Sequence, residues 1–219
     1  LLISSSIFAQ VKTTTKKATL NPIKNKATIN KKTMLIRELN TPAYSVGDFI
    51  HGGIVFYVDE TGEHGLVCAK TDQSTGVRWW AGTDIETRAN GEGLYQGMNN
   101  TDAIMHYQRN GDGGTYAARI CLGIEITEGD MTYKGDITYS DWYLPSKDEL
   151  HLMYQNKTKI NTTATANGGS ALANWYYWSS TEKGPAVQGF VVWAEFFRDG
   201  NQNGYYKDAT YYVRAIRRF

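Results

Sequence analysis

Histidine and cysteine are scarce in this chain and too scattered for most metal or nucleophilic chemistry. His51, His64, His106 and His151 show no pairing of the HExxH kind, so the sequence carries no zinc-hydrolase signature. Ser179-Ser180-Thr181 lies outside any nucleophile-elbow frame, and no phosphate loop is present. No catalytic constellation stands out, and the chain calls for no cofactor. Cys68 and Cys121 fall in neither a metal-ligand nor a redox spacing. They fit one disulfide in an oxidising compartment or two buried thiols. No stretch approaches the roughly twenty apolar residues of a membrane span, so a membrane-spanning protein is not expected.

Net charge is nearly absent as well, at +1, but it is unevenly spread. Residues 1–40 hold seven Lys and one Arg against one Glu, and the remainder holds 15 basic against 21 acidic residues, a net of −6. Sequence-independent binding to nucleic acid relies on Lys and Arg releasing counterions, so a mildly acidic body is a poor partner for it.

What the chain does have is 41% apolar and 13% aromatic content over 219 residues, enough for one substantial core. The opening LLISSSIFAQ reads as the end of a secretory signal over residues 1–9, with Ala9 as the last residue before cleavage. Residues 10–43, rich in Lys, Thr and Asn with no sustained apolar period, read as a disordered linker. A single domain over 44–219 follows. An exported protein, secreted or held at the cell surface, is the expectation.

Within that domain, Phe49 to Val58 and Leu66 to Lys70 read as strands, with Gly52-Gly53 marking a bulge or a close backbone approach. Arg78-Trp79-Trp80-Ala81-Gly82 is expected to cross the core, before a Gly-rich loop from Thr83 to Gly97. Asn100 or Thr101 can cap a helix carrying Ile104, Met105 and Tyr107; Thr115 to Ile124 reads as a second helix, with Ala118, Cys121 and Leu122 inward. Ser146-Lys147-Asp148-Glu149 is a capping box opening a third, with Leu150, Met153 and Tyr154 at helical spacing. The Thr-, Asn- and Gly-rich run from Asn156 to Asn174 reads as a surface loop.

The domain is organised around its C-terminal end, which has apolar runs at Trp175 to Ser180, Val187 to Arg198 and Tyr211 to Phe219. Strand alternation in the middle run puts Val191, Trp193, Glu195 and Phe197 on one face, and Phe190, Val192, Ala194 and Phe196 on the other. Asp199 to Gly204 reads as a hairpin turn. It also matches the first half of a calcium loop, but Thr210 stands where the closing Glu belongs. Trp178 and Trp193 are expected in the core. Tyr176, Glu195, Arg198, Asn201, Asn203, Tyr205, Tyr206, Asp208 and Tyr211 are the expected ligand-binding surface, because tyrosine supplies large contact area at low entropic cost.

Several segments carry a family likeness: Gly65-Leu66-Val67-Cys68-Ala69, Tyr116-Ala117-Ala118 with Cys121, Asp141-Trp142-Tyr143-Leu144-Pro145-Ser146-Lys147-Asp148-Glu149-Leu150, Tyr177-Trp178-Ser179-Ser180-Thr181-Glu182 and Tyr212-Val213-Arg214-Ala215-Ile216-Arg217. In order and over about Ser45 to Phe219, they resemble the Lcl C-terminal domain family. The resemblance implies an α+β, C-type-lectin-like fold: a small twisted antiparallel sheet with flanking helices and long loops, used for binding rather than catalysis. Similar domains serve as the variable proteins of diversity-generating retroelements. By that likeness Trp193, Phe197, Gly200, Gln202, Lys207, Val213 and Arg214 would be frame. Ala194, Thr210 and the ligand-binding residues named above from Glu195 to Tyr211 would be displayed. The EPN and WND motifs of calcium-dependent sugar binding are missing.

The combined expectation is a non-catalytic bacterial surface module recognising a glycan or a protein on another surface, with oligomerisation left open. The alternatives are a structural subunit of a surface assembly, or an oxidase of the formylglycine-generating type. The latter chemistry uses a nearby cysteine pair, whereas Cys68 and Cys121 stand apart in the chain.

Overall fold

A computed structural model describes residues 43–128, 137–184 and 189–219. The expected signal remnant and linker over 1–43 lie, but for residue 43, outside the described residues, as does the start of the apolar run at Val187. The fold is α+β, and the described residues form three sheets rather than the single small antiparallel sheet expected.

The first sheet has strand order β1-β2-β3-β11, from Phe49–Ile50, Gly53–Val58, Gly65–Cys68 and Ile216–Arg218, all antiparallel. His51 and Gly52, at φ 53° and 75°, form a two-residue hairpin turn of the handedness that suits twisted strands. Gly53 supplies the close approach, since a Cβ there would stand 2.6 Å from the Cys68 carbonyl oxygen. The register irregularity sits elsewhere, between Val55 and Tyr57. Alternation sends Ile54, Phe56, Leu66 and Cys68 into one apolar cluster, and Val55 and Val67 into another. The sheet is thus buried on both faces.

The second sheet, order β4-β10-β7-β8-β9, is built from Ser74–Val77, Tyr211–Val213, Tyr176–Glu182, Val191–Phe196 and Asn201–Tyr206. It is mixed, because β10 runs parallel to β7. Ile126–Glu128 (β5) and Ile137–Tyr139 (β6) form a small antiparallel pair. Trp79 crosses the core as expected, fully buried, with its indole N–H donating to the Ser179 carbonyl at 2.8 Å. Its neighbour Trp80 stays half-buried.

Among the described residues four helices flank these sheets: α1 Gly97–Tyr107, α2 Ala117–Leu122, α3 Lys147–Gln155 and α4 Lys157–Ala166. The capping box of α3 is complete, with the Glu149 backbone N–H donating to Ser146 Oγ at 3.3 Å and Glu149 Oε2 accepting from the Ser146 N–H at 2.8 Å. Glu149 is fully buried and also accepts from the Tyr95 backbone N–H at 2.8 Å, so the cap pins the loop before α1. Helix α1 begins at Gly97, ahead of the expected caps, where a Cβ would meet Glu149 Oε2 at 2.3 Å. Asn100 and Thr101 lie inside the helix and are buried; Asn100 donates to the Gly91 carbonyl at 2.7 Å, and Thr101 Oγ accepts from the Leu144 N–H at 3.1 Å. In α2, Ala118 and Cys121 face inward, but Leu122 is exposed.

Helix α4 occupies part of the expected 156–174 loop. Its composition is a weak helix former, but Ile160 and Ala164, four apart, are buried in the cluster that also holds Ile54 and Phe56. Thr162 and Thr165 turn their hydroxyls back to carbonyls one turn earlier, at 3.0 and 2.9 Å. Among the described residues no helix is long and apolar enough to cross a membrane.

Cys68 and Cys121 are buried, unbonded thiols in separate clusters, and burial pushes the Cys68 thiol up to about 12. Strands β10 and β11 belong to different sheets yet are separated only by Arg214 and Ala215. Arg214 is 1% exposed; its Nε donates to Asp72 at 2.8 Å, Nη1 to the Ala69 carbonyl at 2.8 Å and Nη2 to the Ser170 carbonyl at 3.0 Å. Arg214→Met leaves the Asp72 carboxylate buried with, among the described residues, only the Tyr177 hydroxyl, 3.0 Å away, as a side-chain donor. The expected loss is about 3–5 kcal/mol, read as a lowered urea midpoint at unchanged slope; a loss below about 1 kcal/mol would show that the pair does not hold the crossover.

Candidate functional site

Strands β7, β8 and β9 are set side by side in a register that decides which side chains share a face. Tyr176 pairs with Phe196 and Phe196 with Asn201; Trp178 pairs with Ala194 and Ala194 with Asn203; Val192 pairs with Tyr205. Partners in an antiparallel ladder point the same way, so Tyr176, Phe196, Asn201, Asn203 and Tyr205 share one face. Tyr211 on β10 joins them, its ring stacked on Tyr176 at 4.9 Å and 5.3 Å from Tyr205.

The rings form a continuous surface. Tyr176 stacks on Phe196 at 4.5 Å and meets Tyr205 edge-on at 5.0 Å. Trp175, half exposed, stands edge-on to both Tyr176 and Phe196. The Arg198 guanidinium lies 4.8 Å over the Phe196 ring. Asn201 and Asn203 are exposed beside these rings and contribute amides that both donate and accept. Burial, then contact with Tyr176, raises the pKa of the Tyr205 hydroxyl, and burial raises that of Tyr211, so both phenols stay protonated near neutrality. The face therefore offers stacking platforms bordered by neutral hydrogen-bonding groups and one cation.

The opposite face of the same strands packs on α3. Glu195, expected at the surface, is fully buried there, because period two turns it away from Phe196. Its carboxylate contacts His151 Nδ1 at 2.8 Å and accepts from Gln202 Nε2 at 3.1 Å, while Gln202 also donates to the Lys147 carbonyl at 2.8 Å. Ala194 is likewise buried, since with Trp178 and Val192 on the same face it packs into the core cluster. Trp193, expected in the core, is only half-buried, with the Lys147 and Lys183 ammonium groups 4.4 and 4.6 Å from its ring. The lysine stems shield the indole where the helix does not.

Asp199 to Gly204 is not one turn. The hairpin loop is Phe197 to Gly200, and β9 begins at Asn201. Asn201 and Asn203 are extended residues with side chains on one face rather than ligands wrapped around an ion, while Asp199 Oδ1 accepts from the Asn201 N–H at 3.2 Å. Among the described residues no three His, Cys, Asp or Glu side chains are grouped to hold a metal.

Tyr206 and Asp208 are exposed but separate from the rest, since alternation sends Tyr206 to the side away from Tyr205. Of the nine expected residues, the structure brings together Tyr176, Arg198, Asn201, Asn203, Tyr205 and Tyr211. It sets Tyr206 and Asp208 apart and buries Glu195. Trp175 and Phe196 belong to the face and were not among the nine. Both were within reach of the sequence, Phe196 through its alternation with Val192 and Ala194. The implied frame positions Phe197, Lys207, Val213 and Arg214 are buried, and Gly200, at φ 78°, leaves no room for a Cβ against the Tyr154 ring.

Burial raises the Glu195 pKa to about 7, against the opposing pull of His151. A carboxyl that holds its proton more tightly when folded supports stability below its unfolded pKa, near 4.5, and loses that support as pH rises through about 7. Glu195→Gln keeps the side-chain shape and cannot ionise. Its melting temperature relative to wild type is expected to improve between pH 5 and pH 8, by about 1 kcal/mol or more in stability. A difference that stays constant with pH would place the Glu195 titration elsewhere.

No curated protein matches the chain. The family model described as the Lcl C-terminal domain matches residues 69–217, from the end of β3 into β11, and so takes in the whole aromatic face together with the strands and the α3 cap that support it. Matched over more than half its length, the chain belongs to the Lcl C-terminal domain family.

Proposed function

We propose that this protein is a non-catalytic surface-binding module, exported from a bacterium, that recognises a glycan or a protein on another surface through the aromatic face of its second sheet. The observation that carries this reading is the cluster of Phe196, Tyr205 and Tyr211 rings, each packed on the Tyr176 ring, left half-exposed on a sheet whose opposite face is anchored to α3. Rigid aromatic surface beside amides and a guanidinium suits stacking on sugar rings or anchoring a partner protein. Family membership supports a surface-binding role. A lectin-like use of the fold is part of the same proposal. The two cysteines support the non-catalytic reading, being protonated, fully buried and in separate clusters.

A glycan array probed with the folded chain, with and without calcium, tests the reading. Tyr205→Ala is expected to weaken any hit about tenfold or more. It also costs about 1 kcal/mol of stability, because its ring packs on Tyr176 and Tyr211. Exposed Asn203→Ala and Arg198→Ala should leave the melting temperature within about a degree while weakening the same hit. A hit that survives all three substitutions removes the face from the binding site. A blank array with capture of a surface protein through the same residues assigns a protein ligand.

A further inference from the structure

At the end of β9 the chain turns through Lys207 and Asp208 and borders a cleft of about 330 Å³, lined by Trp80, Asp84, Phe190, Tyr206, Lys207 and Asp208. Three of these six residues are aromatic, and each keeps part of its surface exposed: Tyr206 is 70% accessible, Phe190 36%, and Trp80 is half-buried. The volume is at the low end for small-molecule sites.

The charge of the lining is one-sided. Asp84 and Asp208 are exposed carboxylates. Among the described residues of the lining Lys207 is the one cation, and its ammonium is committed elsewhere. It is ion-paired to buried Glu182, donates to the Ile85 carbonyl at 2.9 Å, lies 4.8 Å from the Trp79 ring centroid, and its side chain is 1% exposed. The cleft therefore brings three aromatic side chains, whose ring faces attract positive charge through their quadrupole, together with two carboxylates that attract it directly.

We infer that this cleft binds a small organic cation of the quaternary ammonium class, held against Trp80, Phe190 and Tyr206 with Asp84 and Asp208 supplying the negative field. A primary ammonium is compact and strongly hydrated, and an open aromatic cleft replaces little of the water it loses. A guanidinium takes its specificity from bidentate pairing with a fixed carboxylate. A quaternary ammonium has no N–H to satisfy and gains most from ring faces and a diffuse negative field. The inference does not rest on the aromatic face, since Tyr206 points away from the side that carries Tyr205 and no residue of that face lines the cleft.

Choline titrated into the full chain, followed by calorimetry and saturation-transfer NMR, tests it, with 3,3-dimethylbutan-1-ol as the neutral isostere and arginine amide as a competing cation. Expected are saturable choline binding, at least about tenfold weaker binding of the neutral isostere, and weakening of about fivefold or more in Tyr206→Ala. Asp208→Asn should weaken choline a few-fold and leave the neutral alcohol unchanged. Both positions are exposed, so both variants should melt with the wild type. No saturable choline binding, equal binding of the neutral isostere, tighter binding of arginine amide, or retention of choline by both variants would each overturn the inference.

Discussion

The guanidinium of Arg214 is the constraint on which the C-terminal third depends. It sits at the two-residue passage where the chain leaves the second sheet at β10 and enters the first at β11, and it bonds the Asp72 carboxylate and the carbonyls of Ala69 and Ser170. A crossover this short leaves backbone and charge in the interior, and a planar five-donor group can satisfy several acceptors from one side chain. Asp72 in turn accepts from Tyr177 on β7, whose hydroxyl also receives the Ala173 N–H at 2.8 Å. One network thereby ties the start of β7, the end of β10 and the loop after β3 into a common frame.

That frame explains how a flexible-looking composition yields an ordered aromatic surface. β7 and β8 have one face against α3; on the other, Trp178, Val192 and Ala194 are buried in the core while Tyr176, Phe196, Tyr205 and Tyr211 stay part-exposed with their rings in contact. The rings immobilise one another, which lowers the entropy lost when a ligand orders them. Buried polar groups recur wherever the frame is pinned, as in Glu149 in the α3 cap, Glu195 between His151 and Gln202, and Lys207 against Glu182. Each is satisfied by named partners, as interior charges must be. Adjacent residues can consequently have opposite roles: Tyr205 belongs to the aromatic face, and Tyr206 to the cleft.

Patterns local in the chain are legible in the amino-acid sequence. The capping box at Ser146, the strands around Val55 and Val67, the buried Trp79 and Trp178 and the aromatic surface near Tyr176, Tyr205 and Tyr211 all follow from spacing within a few residues. The family likeness rests on the same segments. The departures share one cause. Asn156 to Asn174 lacks helix formers, and only the packing of Ile160 and Ala164 makes part of it helical. Asn201 to Gly204 has turn composition, and only pairing with β8 makes it a strand. Glu195 reads as a surface residue because it is charged, and His151 and Gln202, which make its burial tolerable, come from other elements of the fold.

The sequence by itself determined which segments alternate, where α3 starts and which residues are aromatic, because these depend on backbone preference and on neighbours one or two turns away. Tertiary structure alone decided which of those aromatics share a face. Strand register sets Phe196 between Tyr176 and Asn201, and a shift of one residue would have turned the rings inward. It also decided that Trp80, Phe190 and Tyr206 line one cleft, since contacts between segments far apart in the chain arise from packing and leave no local pattern to read.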